Sequence, residues 1–289
     1  MPVVSAKSIY QQVFDTIESL YGKREAGSLA AAYLFDRWHI DRIKLSMNLE
    51  LAIDDRMLKS DLLKLQQGMP LQHVVGFQEF FGHKFQTNHH ALIPRPETEE
   101  LVEWIVETIN DQHPQALTIS PISLLDIGSG TGCIPIAIDL ALEHVDCLGV
   151  DVSKEALRLS GTNAKRLGSK ATFRELDILK ANLTPDSFDI IVSNPPYIPE
   201  SDKVRMHKNV LDFEPELALF VSNDDPLMFY KEIAEKAYAA LKATGLLFFE
   251  IHELFSEKII ILLKDMGYKD VELRNDIKGK PRMIRCIKC

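Results

Sequence analysis

Positive charge is in short supply. The chain has 33 lysines and arginines against 42 aspartates and glutamates, a formal net charge of −9. Proteins that grip a nucleic-acid backbone usually carry a basic patch, often a basic domain, so this balance argues against DNA or RNA as the main partner. Long apolar runs are missing too. The stretch after Cys133 is interrupted by Asp139, well short of the ~20 residues needed to span a bilayer. The opening residues, Met1 to Lys7, lack the basic region and apolar core of a secretory signal. The expectation is a cytoplasmic protein with no membrane attachment. Cysteine is scarce: Cys133, Cys147, Cys286 and Cys289. The last two form a CxxC with no second pair at zinc-finger spacing, so they are read as reduced thiols. The nine histidines, His89, His90 and His252 among them, show no triad or ligand spacing. No metal site is expected.

What remains is ordinary for a globular protein, 46% hydrophobic and 26% charged. A length of 289 residues suggests about two domains. Residues up to about 70 read as helices: Ile9, Val13, Ile17, Leu20 and Tyr21 recur at helical spacing, Leu29, Ala32 and Tyr33 suggest a second helix, and Leu58, Leu62, Leu63 and Leu65 a third, with Gly68 and Pro70 beyond it. The aromatic-rich segment 77–86, with Gly82-His83 near its middle, reads as a β-hairpin. Two prolines keep Ile93-Pro94-Arg95-Pro96 extended before an acidic helix start at Glu97 and Glu99. From Pro121 onward strands alternate with helices, which argues for a largely parallel sheet covered on both faces. Segments 271–274 and 283–287 flank a Gly/Pro turn and form a hairpin, so the last strand is expected to run antiparallel. The expected organisation is an N-terminal helical bundle over 1–73, a β-hairpin linker over 74–93, and a Rossmann-like α/β domain over 94–289.

The first chemical signature is Asp126-Ile127-Gly128-Ser129-Gly130-Thr131-Gly132, a strand end followed by a glycine-rich turn into a helix. Glycines there tolerate positive φ and let the backbone approach a ligand closely. At the end of the next strand sits Asp151, where nucleoside-binding folds place a carboxylate for ribose hydroxyls. The dinucleotide fingerprint is G-x-G-x-x-G. Here the third glycine comes one position early, with Cys133 in its place, so no pyrophosphate cradle is evident. Asp126 precedes the loop, suited to the cationic amino-acid end of S-adenosylmethionine. That cofactor is the preferred reading, over another nucleotide or a purely structural turn. After strand 172–176, Asp177 is placed to accept from the adenine amine, with Ile178 against the ring. A solvated acid is the alternative.

The second signature is Asn194-Pro195-Pro196-Tyr197, directly after the apolar strand 188–193. Ligands in open α/β sheets lie outside the carboxyl ends of the strands, so this tetrapeptide should face the glycine loop. The prolines stiffen an extended backbone. The Asn194 side-chain oxygen and a proline carbonyl are two acceptors for an –NH₂ group, and Tyr197 offers a face for a planar group. An amide or aromatic amine nitrogen is a poor nucleophile, and two acceptors can orient it toward a methyl sulfonium. These residues therefore read as a methyltransferase for a planar nitrogen, with S-adenosylhomocysteine as the second product.

The residues also carry a resemblance. Gln72-His73-Val74-Val75-Gly76, Ile93-Pro94-Arg95-Pro96-Glu97-Thr98-Glu99, Asp126 to Gly132, Ile191 to Ile198, Glu214-Pro215 with Ala218-Leu219, and Asn275-Asp276 through Gly279 to Arg282 resemble the bacterial release-factor glutamine methyltransferases (the HemK/PrmC family). The Asn-Pro-Pro-Tyr motif is shared with nucleic-acid amine methyltransferases. The Ile-Pro-Arg-Pro-Glu-Thr-Glu segment, coupled to a helical N-terminal domain, is more specific. Two places depart from the pattern: Ile178 stands where an aromatic residue is frequent, and Ile251-His252-Glu253 replaces a glycine-containing turn. The resemblance implies a seven-stranded class I methyltransferase fold. It implies, as substrate, the glutamine amide of the Gly-Gly-Gln motif in class 1 peptide-chain release factors, methylated at N5, with the N-terminal domain helping to dock the release factor; separately, a monomer is expected. By position, it implies cofactor contacts at Gly128 to Gly132, Asp151, Asp177-Ile178 and Asn194, and a substrate clamp at Asn194 to Tyr197. A DNA or RNA amine methyltransferase with the same clamp is the alternative.

Overall fold

A computed structural model describes residues 3–112 and 121–289. Their contacts divide the chain into two units, Met1–Phe77 with Met206–Phe213, and Gln78–Arg205 with Glu214–Cys289. Among the described residues no helix is long and apolar enough to cross a membrane.

The smaller unit is built on α1 (Ala6–Trp38), α2 (Arg42–Ser46), α3 (Asp55–Gln66) and α4 (Leu71–Val75). The helical turn is broken inside α1 at Gly22, whose φ of 75° and ψ of 163° only glycine adopts cheaply, so two helical segments leave it at an angle. The apolar residues at helical spacing, Ile9, Val13, Ile17, Leu58 and Leu65, are buried in one core. Asp61 is buried there with Tyr33 Oη at 2.9 Å and Arg37 at 2.8 Å, so its charge is matched. The expectation of helices throughout missed a short antiparallel pair, β1 (Val3–Ser5) and β2 (Glu50–Ala52). Pairings of three residues between segments 45 positions apart leave no periodic signal. Segment 206–213, including α8 (Lys208–Phe213), belongs to this unit; His207 stacks on Tyr21 at 4.9 Å.

The larger unit, from Gln78 on, opens within the hairpin of β3 (Phe77–Phe80) and β4 (His83–Gln86). Its two-residue turn, Phe81-Gly82, has φ of 50° and 76°, the left-handed pair that suits a tight hairpin. Then come α5 (Pro96–Gln112), β5 (Ile122–Ile127), α6 (Cys133–Ala141), β6 (Val145–Asp151), α7 (Lys154–Leu167), β7 (Thr172–Glu175) and β8 (Phe188–Ser193). Next come β9 (Ile198–Pro199), α9 (Glu216–Leu219) and β10 (Phe220–Val221), and then α10 (Met228–Ala240), β11 (Leu241–Glu250), α11 (Ser256–Asp265), β12 (Lys269–Asn275) and β13 (Pro281–Ile287).

Seven strands form one sheet in the order β12-β13-β11-β8-β5-β6-β7. The pairs from β11 through β7 are parallel, and β13 lies antiparallel between β11 and β12. One face is covered by α5 and α6 through Leu101, Trp104, Ile105, Ile134 and Ile136. The other is covered by α10 and α11 through Tyr230, Ile233, Ala237, Ile259 and Leu263. The seven-stranded class I methyltransferase fold and its antiparallel last strand are as expected. Chain order runs β5-β6-β7 in one direction across the sheet and β8-β11 in the other. The switch point, where open α/β sheets bind ligands, lies between β5 and β8.

Candidate active site

At that switch point the register pairs Ile127 with Ser193, and the Ser193 hydroxyl donates to the Ile127 carbonyl at 2.6 Å. The next residues are Gly128 on one strand and Asn194 on the other. The sheet thus brings the glycine loop and the Asn-Pro-Pro-Tyr segment, 66 positions apart, to one edge.

The three loop glycines differ in role. All have positive φ, 79° at Gly128, 54° at Gly130 and 79° at Gly132. A Cβ at Gly128 would meet nothing within 4 Å, and one at Gly130 only Ala91 at 3.9 Å. These two present bare backbone to open space. A Cβ at Gly132 would lie 2.9 Å from Ile136, Phe173 and Ser160. Gly132 is therefore a packing requirement where the loop enters α6. The loop holds itself by Gly128 and Ser129 N–H donating to the Val150 carbonyl at 2.9 and 3.0 Å and Gly132 N–H donating to Ser129 at 2.8 Å.

Asp151 does more than the sequence suggested. One carboxylate oxygen accepts from Gly130 N–H at 2.9 Å and the other from Ser153 N–H at 2.8 Å. The acid at the end of β6 anchors the loop, and its remaining lone pairs can still accept from a diol. Asn163 on α7, which no motif signalled, adds a brace. Fully buried, it accepts from Gln86 N–H at 2.7 Å and donates to the Thr131 carbonyl at 3.0 Å.

Asp126 is fully buried, and neither of its carboxylate oxygens has a hydrogen-bond partner among the described residues. Burial pushes its carboxyl up to about 7; the nearby Ser129 hydroxyl offsets part of that, and the Asp151 charge adds to it. Among the described residues Ser129 Oγ itself lacks a partner of good geometry, as does Thr131 Oγ1. An orphaned carboxylate beside two orphaned hydroxyls and two open glycines fits a group with a cationic end and polar atoms. Asp177 is placed differently. It caps Leu179 N–H at 3.0 Å and pairs with Lys180 at 2.8 Å, and that pairing holds its carboxyl below the usual range. Ile178 is buried in the core with Val150 and Leu183. Among the described residues no group of three His, Cys, Asp or Glu side chains could hold a metal.

Behind Asn194 runs a buried polar chain that the sequence did not disclose. Asn194 Nδ2 donates to Thr98 Oγ1 at 3.2 Å, Thr98 Oγ1 donates to Glu250 Oε2 at 2.6 Å, and Tyr197 Oη donates to Glu250 Oε1 at 3.2 Å. Glu250 is 1% exposed. Burial raises its carboxyl, opposed by the Thr98 hydroxyl, the Arg282 charge and the Tyr197 hydroxyl. Burial and the Glu250 charge push the Tyr197 phenol well above its ordinary value, so it stays protonated and donates. The Tyr197 ring meets His252 edge-on at 5.8 Å. The Ile-Pro-Arg-Pro-Glu-Thr-Glu segment enters here twice: Thr98 joins the chain, and Arg95 pairs with buried Glu214 at 2.6 Å while Glu214 also accepts from Ile93 N–H at 3.1 Å.

Comparison with known proteins gives this geometry a family. A family described as "Methyltransferase domain" matches residues 120–287. The chain is 37% identical over 282 residues to a release factor glutamine methyltransferase of Flavobacterium psychrophilum, covering 96% of this chain and 98% of that one. It is 38% identical to one from Bacteroides thetaiotaomicron, covering 93% and 95%. Among solved structures, a methyltransferase from Pyrococcus furiosus superposes with a TM-score of 0.53 at 15% identity, over 78% of this chain and 98% of that one, a likeness of fold alone. Similarity that runs nearly end to end takes in the helical unit, the Arg95 to Glu99 segment and Asn194 to Tyr197 alike, and the chain belongs to the release factor glutamine methyltransferases.

Proposed function

We propose that this protein transfers a methyl group from S-adenosylmethionine to the side-chain amide of the glutamine in the Gly-Gly-Gln motif of class 1 peptide-chain release factors. The observation that carries this reading is the adjacency, at one sheet edge, of an orphaned buried carboxylate and open glycine loop with the Asn194-Pro195-Pro196-Tyr197 segment. When bound, S-adenosylmethionine supplies an electrophilic methyl carried on a sulfonium. Asp126 would meet its ammonium, Gly128 to Gly132 its amino-acid and ribose portion, and Asp151 the ribose hydroxyls. Asp177 and Ile178 would flank the adenine. The Asn194 side-chain oxygen and the Pro195 carbonyl would each accept one hydrogen of the glutamine –NH₂. Held this way, the nitrogen lone pair is aimed rather than free to rotate, a proximity gain of up to ~7–11 kcal/mol in favourable cases. Pro195 and Pro196 keep that pair of acceptors stiff, and Tyr197 walls the planar amide. Glu250, behind Asn194, is engaged by two hydroxyls and takes no part as a base in this reading. The amide proton would leave after transfer.

The rest of the reading follows. Residues 1–73 would dock the release factor and 74–93 link that module to the catalytic domain at 94–289. The protein would act as a cytoplasmic monomer, with nucleic acid not a substrate. The test is transfer of labelled methyl from S-adenosylmethionine to purified release factor, to release factor with its Gly-Gly-Gln glutamine replaced, and to nucleic acid. Label is expected on the first alone. Label on nucleic acid but not on release factor would overturn the proposal in favour of an amine methyltransferase of DNA or RNA.

A further inference from the structure

Asn194 can serve as an acceptor toward substrate only if its amide is turned the right way. The carboxamide is nearly symmetric in shape, and its oxygen and nitrogen exchange places by a half-turn about the last bond. Turned the wrong way, it would meet the donor hydrogens of an –NH₂ group with donor hydrogens of its own. Something must choose between the two states.

Thr98 has one hydroxyl proton. The Thr98 Oγ1 atom lies 2.6 Å from Glu250 Oε2 and 3.2 Å from Asn194 Nδ2. Both Glu250 oxygens accept from hydroxyls, Oε2 from Thr98 and Oε1 from Tyr197 at 3.2 Å, so the Thr98 proton goes to Glu250 and the hydroxyl presents lone pairs to Asn194. Asn194 must then answer with its NH₂, which leaves its oxygen on the other side. The reverse orientation would set oxygen against oxygen at a site where Thr98 is 3% exposed and Glu250 1%, and unmade buried hydrogen bonds are costly. Glu250 is itself fixed: Tyr197 Oη donates to its second oxygen and Tyr230 Oη to its carbonyl at 3.3 Å. Thr98 stands on the first turn of α5, pinned by its N–H to the Arg95 carbonyl at 3.0 Å.

We propose that Thr98, polarised by Glu250, is a positioning residue that sets the orientation of the Asn194 carboxamide and so makes Asn194 an acceptor toward substrate. Thr98 touches neither substrate nor cofactor in this scheme. The inference rests on the clamp reading above, and it adds a residue from the opposite end of the domain sequence to the working parts of the site.

The test uses Thr98→Val, which keeps the shape and removes the hydroxyl, and Thr98→Ser, which restores it. Two readouts run in parallel on the full-length protein. In 15N-labelled protein without substrate, the Asn194 side-chain NH₂ resonances, identified by their loss in Asn194→Asp, should be protected from hydrogen exchange in wild type and Thr98→Ser and lose that protection at least tenfold in Thr98→Val. In the methyl-transfer assay, kcat should fall at least tenfold in Thr98→Val and return to within threefold of wild type in Thr98→Ser, with the S-adenosylmethionine Kd within twofold throughout. Unchanged Asn194 protection in a folded Thr98→Val protein, or a valine variant with wild-type kcat, overturns the inference. A Thr98→Val variant that loses kcat and is not rescued by serine does so as well, because bulk rather than the hydroxyl would then matter. Should wild type place no label on release factor, the substrate reading fails, and the exchange measurement still decides whether Thr98 orients Asn194.

Discussion

Replacing Asp126 by asparagine should stabilise the protein without cofactor, and do so more at pH 8 than at pH 5. The side chain is fully buried with no hydrogen-bond partner for either oxygen among the described residues. Burial raises the carboxyl from 3.8 to about 7, with the Ser129 hydroxyl offsetting and the Asp151 charge adding. A carboxyl whose native value lies above its unfolded value holds its proton longer in the native state. Stability therefore falls as pH rises from 3.8 towards 7 and is level above. The full penalty is on the order of 4 kcal/mol above pH 7, of which about 2 kcal/mol is already present at pH 5. Asparagine has the same shape and no charge to desolvate. Its own unsatisfied amide costs about 1–3 kcal/mol, but equally at both pH values, so the difference between them isolates the charge. Urea unfolding of wild type and Asp126→Asn without cofactor should give a stability difference larger by about 2 kcal/mol at pH 8 than at pH 5. The same substitution should weaken S-adenosylmethionine binding on the order of 10²-fold, because a charge-assisted contact to its ammonium is lost. An Asp126→Asn effect equal at both pH values would refute the claim that this carboxylate is buried without compensation. Unchanged cofactor affinity would refute its assignment to the ammonium.

Asn194→Ala should lower kcat by ~10²–10³-fold, as expected for removing a preorganised hydrogen-bonding partner of the transition state; calorimetry should show cofactor affinity nearly unchanged, and loss of that affinity would mean Asn194 serves the cofactor instead. Asp151→Ala should do the reverse, weakening cofactor binding by ~10–100-fold through loss of its acceptors, with kcat recovered at saturating cofactor. Gly132→Ala should destabilise the fold by ~2–4 kcal/mol, since it combines a strained φ with overpacking against Ile136, Phe173 and Ser160; thermal unfolding at wild-type Tm would show that the loop can shift to admit a methyl group.

The fold was legible because its signals are local. The alternation of apolar runs with helical stretches from Pro121 onward, and the turn before β13, are written in consecutive residues, and strands β5 and β8 lie where their apolar runs placed them. The pair β1–β2 was not legible, because its three-residue pairings join segments of no distinctive pattern. Nor was the membership of 206–213 in the smaller unit. The site divides in the same way. Glycine loops and Asn-Pro-Pro-Tyr advertise themselves because the backbone conformations they need permit few residue types. Their partners do not. Glu250 sits in the apolar run of β11 and Thr98 in an acidic helix start, 152 positions apart. Each is an unremarkable residue alone and acquires a role only through the other. The resemblance had singled out the segment containing Thr98 and the Glu214-Pro215 pair without a chemical reason for either.

In the proposed clamp, Thr98 and Glu250 have such a reason. Two acceptors aimed at one –NH₂ group are useful only if they cannot turn away. The prolines remove that freedom from the backbone by covalent geometry. No covalent device can do the same for a carboxamide side chain, so its orientation has to be imposed by a donor–acceptor sequence that ends on a group of fixed polarity. A buried carboxylate is such a terminus as long as it stays ionised. Burial alone would defeat that, and the Thr98 hydroxyl, the Arg282 charge and the Tyr197 hydroxyl oppose it. Arg282 is held by Asp276 at 3.4 Å, and Asp276 in turn accepts from Lys278 and Lys280 N–H at 2.9 and 3.0 Å. The turn before the last strand thus bears on the ionisation of Glu250, and through it on Asn194. The antiparallel strand β13, between β11 and β12, does more than extend the sheet: it carries Arg282, a cation that opposes the rise burial imposes on the Glu250 carboxyl at the far end of the hydrogen-bond chain.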